Sequence, residues 1–404
     1  MDYVYLDNAA TTPLDGRVLE AMLPWLRRPD GGVRGNPSSL HRAGAVASEA
    51  IEAARESVAA MIGAVPGEIV FTSGGTEADN LAVFGLAGAA PPEKRHAVIS
   101  QIEHAAVREA GRYLEERGFT VTWLETDGFG RVDVSRLEAE LRPDTAFVGV
   151  MWANNEVGTV QPVAEIAELC AARGVPFHTD AVQAAGRERI EVGSLPGVST
   201  LALSAHKLGG PQGTGALYVG TGVELTSRTF GGGQERGLRS GTENVAGIVG
   251  FGAAARLATG EFTRRVHTER ALRDRIIDGA TQIPGVRLNG HPSRRLSGNV
   301  HLTVPGAESE SLVLMLDALG FAVGKGSACS SSGHKASPVL EAMGQGADEA
   351  FSALRVSVGF ENTAEEIDAF LEALGECVSR LREMAPRTLK ANSPDMDLQT
   401  EKGA

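Results

Sequence analysis

The chain has 404 residues, 42% of them hydrophobic, and a formal net charge of -13. That length exceeds what one compact core ordinarily holds, so two domains are expected. The acidic balance argues against direct binding to a nucleic-acid backbone, which needs a basic surface, and favours small molecules or basic proteins as partners.

The opening "MDYVYLDNAATTPLD" lacks the basic flank and apolar core of a secretion signal. No later apolar run approaches the ~18 residues of a membrane span, so a cytoplasmic protein is expected. Short β-rich runs follow: "EIVFTS" (68–73), "HAVIS" (96–100), "FTVTWL" (119–124), "TAFVGVM" (145–151), "VPFHTD" (175–180) and "TLALSA" (200–205). Helical stretches separate them, a rhythm that implies a mostly parallel sheet. One helix is expected over residues 48–62, with Ile51, Ala54, Val58 and Met61 on a single face. Beyond about residue 258 the texture changes. "EFTRRVHTERALRDRIIDGATQI" reads as a connecting helix, with strand signals following at 286–288, 298–303 and 354–358. A second, smaller α+β domain is expected there, and the polar, aperiodic tail from Pro386 is expected to be disordered. Cys170, Cys329 and Cys377 are widely spaced, odd in number and free of any CxxC pairing, so free thiols are expected rather than a disulfide framework or a zinc ribbon. No metal site is expected.

Chemistry concentrates where strands end, the place where an open α/β sheet binds its ligands. In "FTSGGTEADN" a strand meets Gly74-Gly75-Thr76 and then a helix, whose backbone amides and threonine hydroxyl can seat a phosphate. Taken singly, such a turn caps many ordinary helices. In "FHTDAVQAAG", Asp180 stands at a strand end with Gln183 just beyond, and a carboxylate there wants a metal, an arginine or a protonated ring nitrogen. In "LALSAHKLGGPQGTG", Ser204, His206 and Lys207 leave an apolar strand for a glycine-rich loop. A partly buried lysine loses its proton more readily, and a neutral amine can form a Schiff base. Together the three ends supply a phosphate seat, a partner for a pyridinium nitrogen and an amine, the parts needed to hold pyridoxal phosphate.

The chain resembles the cysteine desulfurases of the iron–sulfur-assembly and nitrogen-fixation type, within the class V aminotransferase branch of the fold-type I pyridoxal-phosphate enzymes. The resemblance runs from "YLDNAATTP" through "GNPSS", "FTSGGTEADN", "NNEVGT", "HTDAVQ", "SAHK", "RSGTEN" and "GSACSS" to "LRVSVG". It implies a large domain with a mostly parallel seven-stranded sheet (15–258) and a smaller C-terminal domain (259–385), with residues 1–14 packing on the latter and 386–404 as a tail. It also implies that Lys207 carries the covalent cofactor link, that Asp180 pairs with the ring nitrogen, that Gln183 contacts the ring hydroxyl and that His104 stacks on the ring. Gly75, Thr76, Ser204 and His206 would hold the phosphate, with Thr242 reaching across from the partner in a homodimer. Arg355 would fix the carboxylate of the substrate L-cysteine, assisted by Asn155 and Asn36.

"GKGSACSSSGHKASP" (324–338) sets Cys329 in a run of turn formers. The resemblance implies that this thiol takes the sulfur as a persulfide, releases alanine and passes the sulfur to an acceptor protein. Lys325, His334 and Lys335 would favour its thiolate. Gln212, Gln234 and Lys325 depart from the usual family residues, which leaves the acceptor open between iron–sulfur assembly, thiolated nucleic acid and cofactor synthesis. The same scaffold also serves selenocysteine lyases and other class V enzymes. "GFAVGKG" (320–326) is no phosphate loop: it has three residues between its glycines where four are needed, and Gly326 follows the lysine.

Overall fold

The computed structural model describes residues 3–27, 35–326 and 337–384. Cys329, His334, Lys335 and the tail from Pro386 lie outside the described residues.

The chain enters as strand β1 (Val4–Tyr5) and helix α1 (Gly16–Leu26), followed by α2 (Arg42–Met61). Seven strands then build the large sheet: β2 (Ile69–Thr72), β3 (His96–Ser100), β4 (Thr120–Leu124), β5 (Thr145–Gly149), β6 (Phe177–Asp180), β7 (Val198–Ser204) and β8 (Gly215–Val219). Their order is β2-β8-β7-β6-β5-β3-β4, and only β8 runs against the rest. Helices α3 (Gly75–Ala89), α4 (Ala105–Glu116), α5 (Val134–Glu140) and α6 (Val163–Arg173) fall between these strands, and α7 (Val245–Gly260) follows the sheet. Every residue of β2, β3, β5, β6 and β8 is buried, as expected for strands covered on both faces. That is why they read as nearly continuous apolar runs. Among the polar exceptions, His96 is held between Thr145 and Thr122, each at 2.9 Å.

The small domain follows α8 (Phe262–Ala280), the connecting helix that the charged run predicts. Its antiparallel sheet joins β9 (Arg287–Asn289), β10 (Asn299–Thr303), β12 (Gly324–Lys325) and β13 (Ala353–Ser357) in the order β12-β13-β10-β9. Between α9 (Ser309–Ala318) and β12 lies β11 (Phe321–Ala322), which pairs in parallel with β1, Val4 facing Phe321. Leu6 N donates to Ala322 O at 2.8 Å and Ser357 N to Leu6 O at 2.7 Å, so the N-terminal segment is stitched to the small domain. Leu6 also joins its apolar core with Val300, Leu302, Val356, Phe370 and Leu374.

Two differences from the sequence reading have local causes. Helix α2 begins at Arg42 rather than near residue 48: His41 caps it, its Nδ1 accepting from Gly44 N at 3.2 Å, and Gly44, a helix-weakening residue by propensity, is required by packing. A Cβ there would stand 2.2 Å from Ser39 O, so the first turn lies directly on the preceding loop. On the predicted face, Ile51, Ala54 and Val58 are buried and Met61 is half-buried. Strand β8 is not among the β-rich runs named above, yet "GALYV" pairs with both β2 and β7.

Candidate active site

Strands β6 and β7 are parallel neighbours with Asp180 in register with Ala202, so Asp180 and the residues just after Ser204 leave the sheet at one edge. Asp180 is buried and its Oδ1 accepts from Val182 N at 2.9 Å. Ser204 closes β7 and is buried; a short 3-10 turn, Ala205–Lys207, then delivers His206 and Lys207. At the same edge α3 begins at Gly75. A Cβ on that glycine would lie 2.7 Å from Val182 Cγ2 and 3.8 Å from Ser204 Cβ, so the start of the helix and the two strand ends form one close-fitting cradle.

Lys207 Nζ donates to the carbonyl oxygens of Ala9 and Ala10, each at 2.6 Å. Burial, together with the Arg355 and Arg187 guanidinium groups, pulls its ammonium down to about 8, while Asp180 and Asp7 act the other way. The lysine is therefore close to yielding a neutral amine at physiological pH. His206 is fixed by a 3.0 Å contact between Nδ1 and Thr11 Oγ1, and burial and Lys207 hold its ring down to about 4.

A buried acidic group stands behind this edge. Ligand atoms of Asp79, His104 and Asp180 lie within 4.8 Å of one another. His104 caps α4, its Nδ1 accepting from Ala106 N at 3.2 Å. His178 bridges Asp79 Oδ1 at 3.3 Å and Thr200 Oγ1 at 3.0 Å. Glu103 Oε1 accepts from Ser100 Oγ at 2.5 Å and Met151 N at 2.6 Å. Burial raises the carboxyl groups of Asp79 and Asp180 above their usual range and pushes Glu103 up to about 8; it lowers the His104 and His178 rings. Asp79 Oδ2 and Glu103 Oε2 are buried without a hydrogen-bond partner. Such a wall favours a cationic group set against Asp180.

Arg355, on β13, is buried among apolar residues. Its Nη1 donates to Asn155 O at 3.1 Å and its Nη2 to Asp7 Oδ1 at 2.8 Å. Gln183 is buried, with Nε2 donating to Ala9 O at 2.9 Å. The structure thus brings together Asp180, Gln183, Ser204, His206, Lys207, His104, Asn155, Arg355 and the Gly75 turn. Thr76 is exposed at the start of α3. Asn36 is exposed in the loop before α2, turning Oδ1 onto Ser38 N at 2.9 Å, and Thr242 is exposed in the loop before α7. No contact among the described residues joins these last two to Lys207. Asp7, Asp79, Glu103 and Arg187 escaped the sequence reading. For Asp79 a signal existed: it interrupts the apolar face formed by Ala78, Leu81, Ala82 and Val83.

The fold and the lysine-bearing strand ends define a class V aminotransferase, and the model of that family matches residues 4–370. A cysteine desulfurase IscS from Methanosarcina thermophila is 46% identical over 387 residues, covering 96% of this chain and 95% of the relative. Among solved structures, a NifS-like protein superposes with a TM-score of 0.87 at 36% identity, covering 94% of this chain and 100% of the other. A structure of SspA in complex with cysteine aligns with a TM-score of 0.77 at 35% identity, covering 88% of this chain and 98% of the other. The chain belongs to the cysteine desulfurases of this family.

Proposed function

We propose that this cysteine desulfurase binds pyridoxal phosphate at the carboxyl ends of β2, β6 and β7 and moves the sulfur of L-cysteine onto its own Cys329. The observation that carries this reading is a half-buried Lys207, with its ammonium pulled down to about 8, at the same sheet edge as the buried Asp180. The residues fit the cofactor: unpartnered buried carboxylate oxygens favour a protonated ring nitrogen beside Asp180, and the glycine cradle at the start of α3 leaves a helix N-terminus open to a phosphate. Asp180 would hold the ring nitrogen, Gln183 the ring hydroxyl and His104 the ring face. Gly75, Thr76, Ser204 and His206 would take the phosphate, joined by Thr242 of a partner subunit in a homodimer.

When bound, pyridoxal phosphate supplies an electron-withdrawing ring that stabilises negative charge at the substrate Cα. Lys207 Nζ supplies the amine for the covalent link and, once released by substrate, takes the Cα proton. Arg355 holds the substrate carboxylate, with Asn155 and Asn36 beside it. The Cys329 thiolate attacks the substrate sulfur, an S–S bond forms, and the electron pair of the broken C–S bond leaves with the three-carbon product, released as alanine after protonation. The persulfide then goes to a sulfur-acceptor protein. The buried free thiols Cys170 and Cys377 suit a reducing compartment, the cytoplasm; no helix among the described residues is long and apolar enough to cross a membrane. The domain limits follow the same reading: 1–14 with the small domain, 15–258 large, 259–385 small.

Borohydride reduction of the purified enzyme followed by peptide mapping tests the assignment. A pyridoxyl group on the peptide holding Lys207, and its loss in Lys207→Ala together with turnover, is the expected result; a pyridoxyl group on another lysine would overturn it.

A further inference from the structure

We propose that Arg187 is a positioning residue for Lys207, tying the main chain of that lysine to the small domain through Glu269. Its Nη1 donates to the Lys207 carbonyl oxygen at 3.1 Å, and its Nε lies 3.6 Å from Glu269 Oε2. Glu269 comes from the connecting helix α8, and the same Oε2 accepts from Ser297 Oγ, two residues before β10. One polar chain therefore runs from the small sheet through the connecting helix to the lysine. The Arg187 and Glu269 side chains are 10% and 6% exposed, so water screens them far less than an ordinary surface pair. The chain runs beside a 280 Å³ cavity lined also by Asp15, Arg265 and Phe360, which leaves the two side chains space to shift with the small domain.

The charge of Arg187 has a use that Arg355 cannot supply. Lys207 is faced by Asp180 from β6, Arg355 from β13, Asp7 and the Ala9 and Ala10 carbonyls from the N-terminal segment, His104 from α4, and its neighbour His206. Arg355 and Arg187 both disfavour a proton on Nζ. A substrate carboxylate on Arg355 cancels the charge of that arginine at the moment the lysine must be a neutral base. Arg187, engaged by the lysine's own carbonyl at 3.1 Å and by Glu269 at 3.6 Å, is not neutralised further by substrate, so the part of its charge that Glu269 leaves uncompensated stays in place.

The inference rests on Lys207 being the cofactor's amine, and it is tested on the holoenzyme by titrating the visible absorbance against pH. Arg187→Gln removes a cation and should raise the midpoint by about half a unit, a roughly threefold change in the protonation equilibrium. Arg187→Lys keeps the charge and should restore the midpoint toward the wild-type value. Glu269→Gln, which leaves Arg187 uncompensated, should lower it. A purely structural tether predicts no such reversal of sign: Arg187→Gln and Glu269→Gln midpoints that move together, or not at all, would overturn the proposal. Should Arg187→Gln fail to fold, Glu269→Gln decides alone, a lowered midpoint supporting the charge role of Arg187 and an unchanged or raised one rejecting it. Borohydride mapping of the same samples separates the two possible failures. A pyridoxyl group away from Lys207 sinks the underlying assignment, whereas labelled Lys207 with an unmoved midpoint sinks only the role of Arg187.

Discussion

Arg355 and Asp7 meet at 2.8 Å although 348 residues separate them in the chain. The guanidinium is 2% exposed, and with Nη1 on Asn155 O its Nε is left buried without a hydrogen-bond partner. A buried, unspent donor on a fixed planar fork is what a substrate carboxylate needs. Asp7 sets the plane of the fork while β1 holds Asp7 against the small domain, so the N-terminal segment and β13 together build the end of the site proposed for the substrate carboxylate.

Arg355→Lys tests this arrangement. A lysine keeps the charge but offers a point donor in place of a fork, so KM for L-cysteine should rise about tenfold to a hundredfold, the range of one or two charged hydrogen bonds. The turnover number should change less. Steady-state alanine formation measures both, and an unchanged KM would remove Arg355 from substrate binding.

Lys207 makes a second prediction, on pH. Only the neutral amine attacks an aldehyde, and with its pKa near 8 about a tenth of Lys207 is neutral at pH 7. The rate at which cofactor-free enzyme regains its yellow colour on adding pyridoxal phosphate should therefore climb to about pH 8 and then flatten. An ordinary lysine would go on gaining rate beyond pH 10. Stopped-flow absorbance across that range separates the two.

Asp180 and Lys207 were legible in the sequence because the first ends a buried strand, the second follows one by three residues, and each carries a group with no place in a core. Arg355 was legible as a charge within an apolar strand. The partners that tune them were not, for a common reason: Asp7, Asp79 and Arg187 act across contacts that no local period records. Asp7 lies in a segment whose only strand, β1, has two residues, too few to show an alternation. Strands β11 and β12 are equally short. Strand β8 was missed for the opposite reason, since its pairing overrides the turn-forming glycines that precede it.

Glu103 yields a prediction on stability. Burial pushes its carboxyl up to about 8, so the folded chain keeps a proton that the unfolded chain gives up near 4.5. The sign follows: this contribution is fully present below pH 4.5 and is lost as pH rises through 8. Glu103→Gln, neutral at every pH, should flatten the fall of melting temperature between pH 5.5 and 8.5, by roughly a few degrees relative to wild type. The buried rings of His178, His206 and His301 are held down to about 4 and act in the opposite sense, but they are common to both proteins and cancel in the difference. Parallel thermal profiles for the two proteins would show that Glu103 ionises normally.

The proposed transfer of sulfur to Cys329 makes a last prediction, because the other two thiols are unsuited to that role. Cys170 on α6 and Cys377 in the helix Ala364–Met384 are 0% and 1% exposed. Burial pushes the Cys170 thiol up to about 12 and raises Cys377 as well. Neither is exposed enough or acidic enough to offer a thiolate at neutral pH. The resemblance assigns the sulfur to Cys329, which the sequence sets among glycine and serine with Lys325, His334 and Lys335 close by in the chain. Enzyme treated with L-cysteine and no reductant should gain one sulfur atom on the peptide containing Cys329 and none on the peptides of Cys170 or Cys377. Cys329→Ser should still bind cofactor and change its spectrum on adding L-cysteine, because in the proposed mechanism those steps use Lys207, Asp180 and Arg355. It should release alanine far more slowly, since a serine hydroxyl cannot accept sulfur as a persulfide. Peptide mass analysis and alanine release decide the matter: extra sulfur on a buried cysteine, or undiminished turnover in the serine variant, would refute the assignment of Cys329.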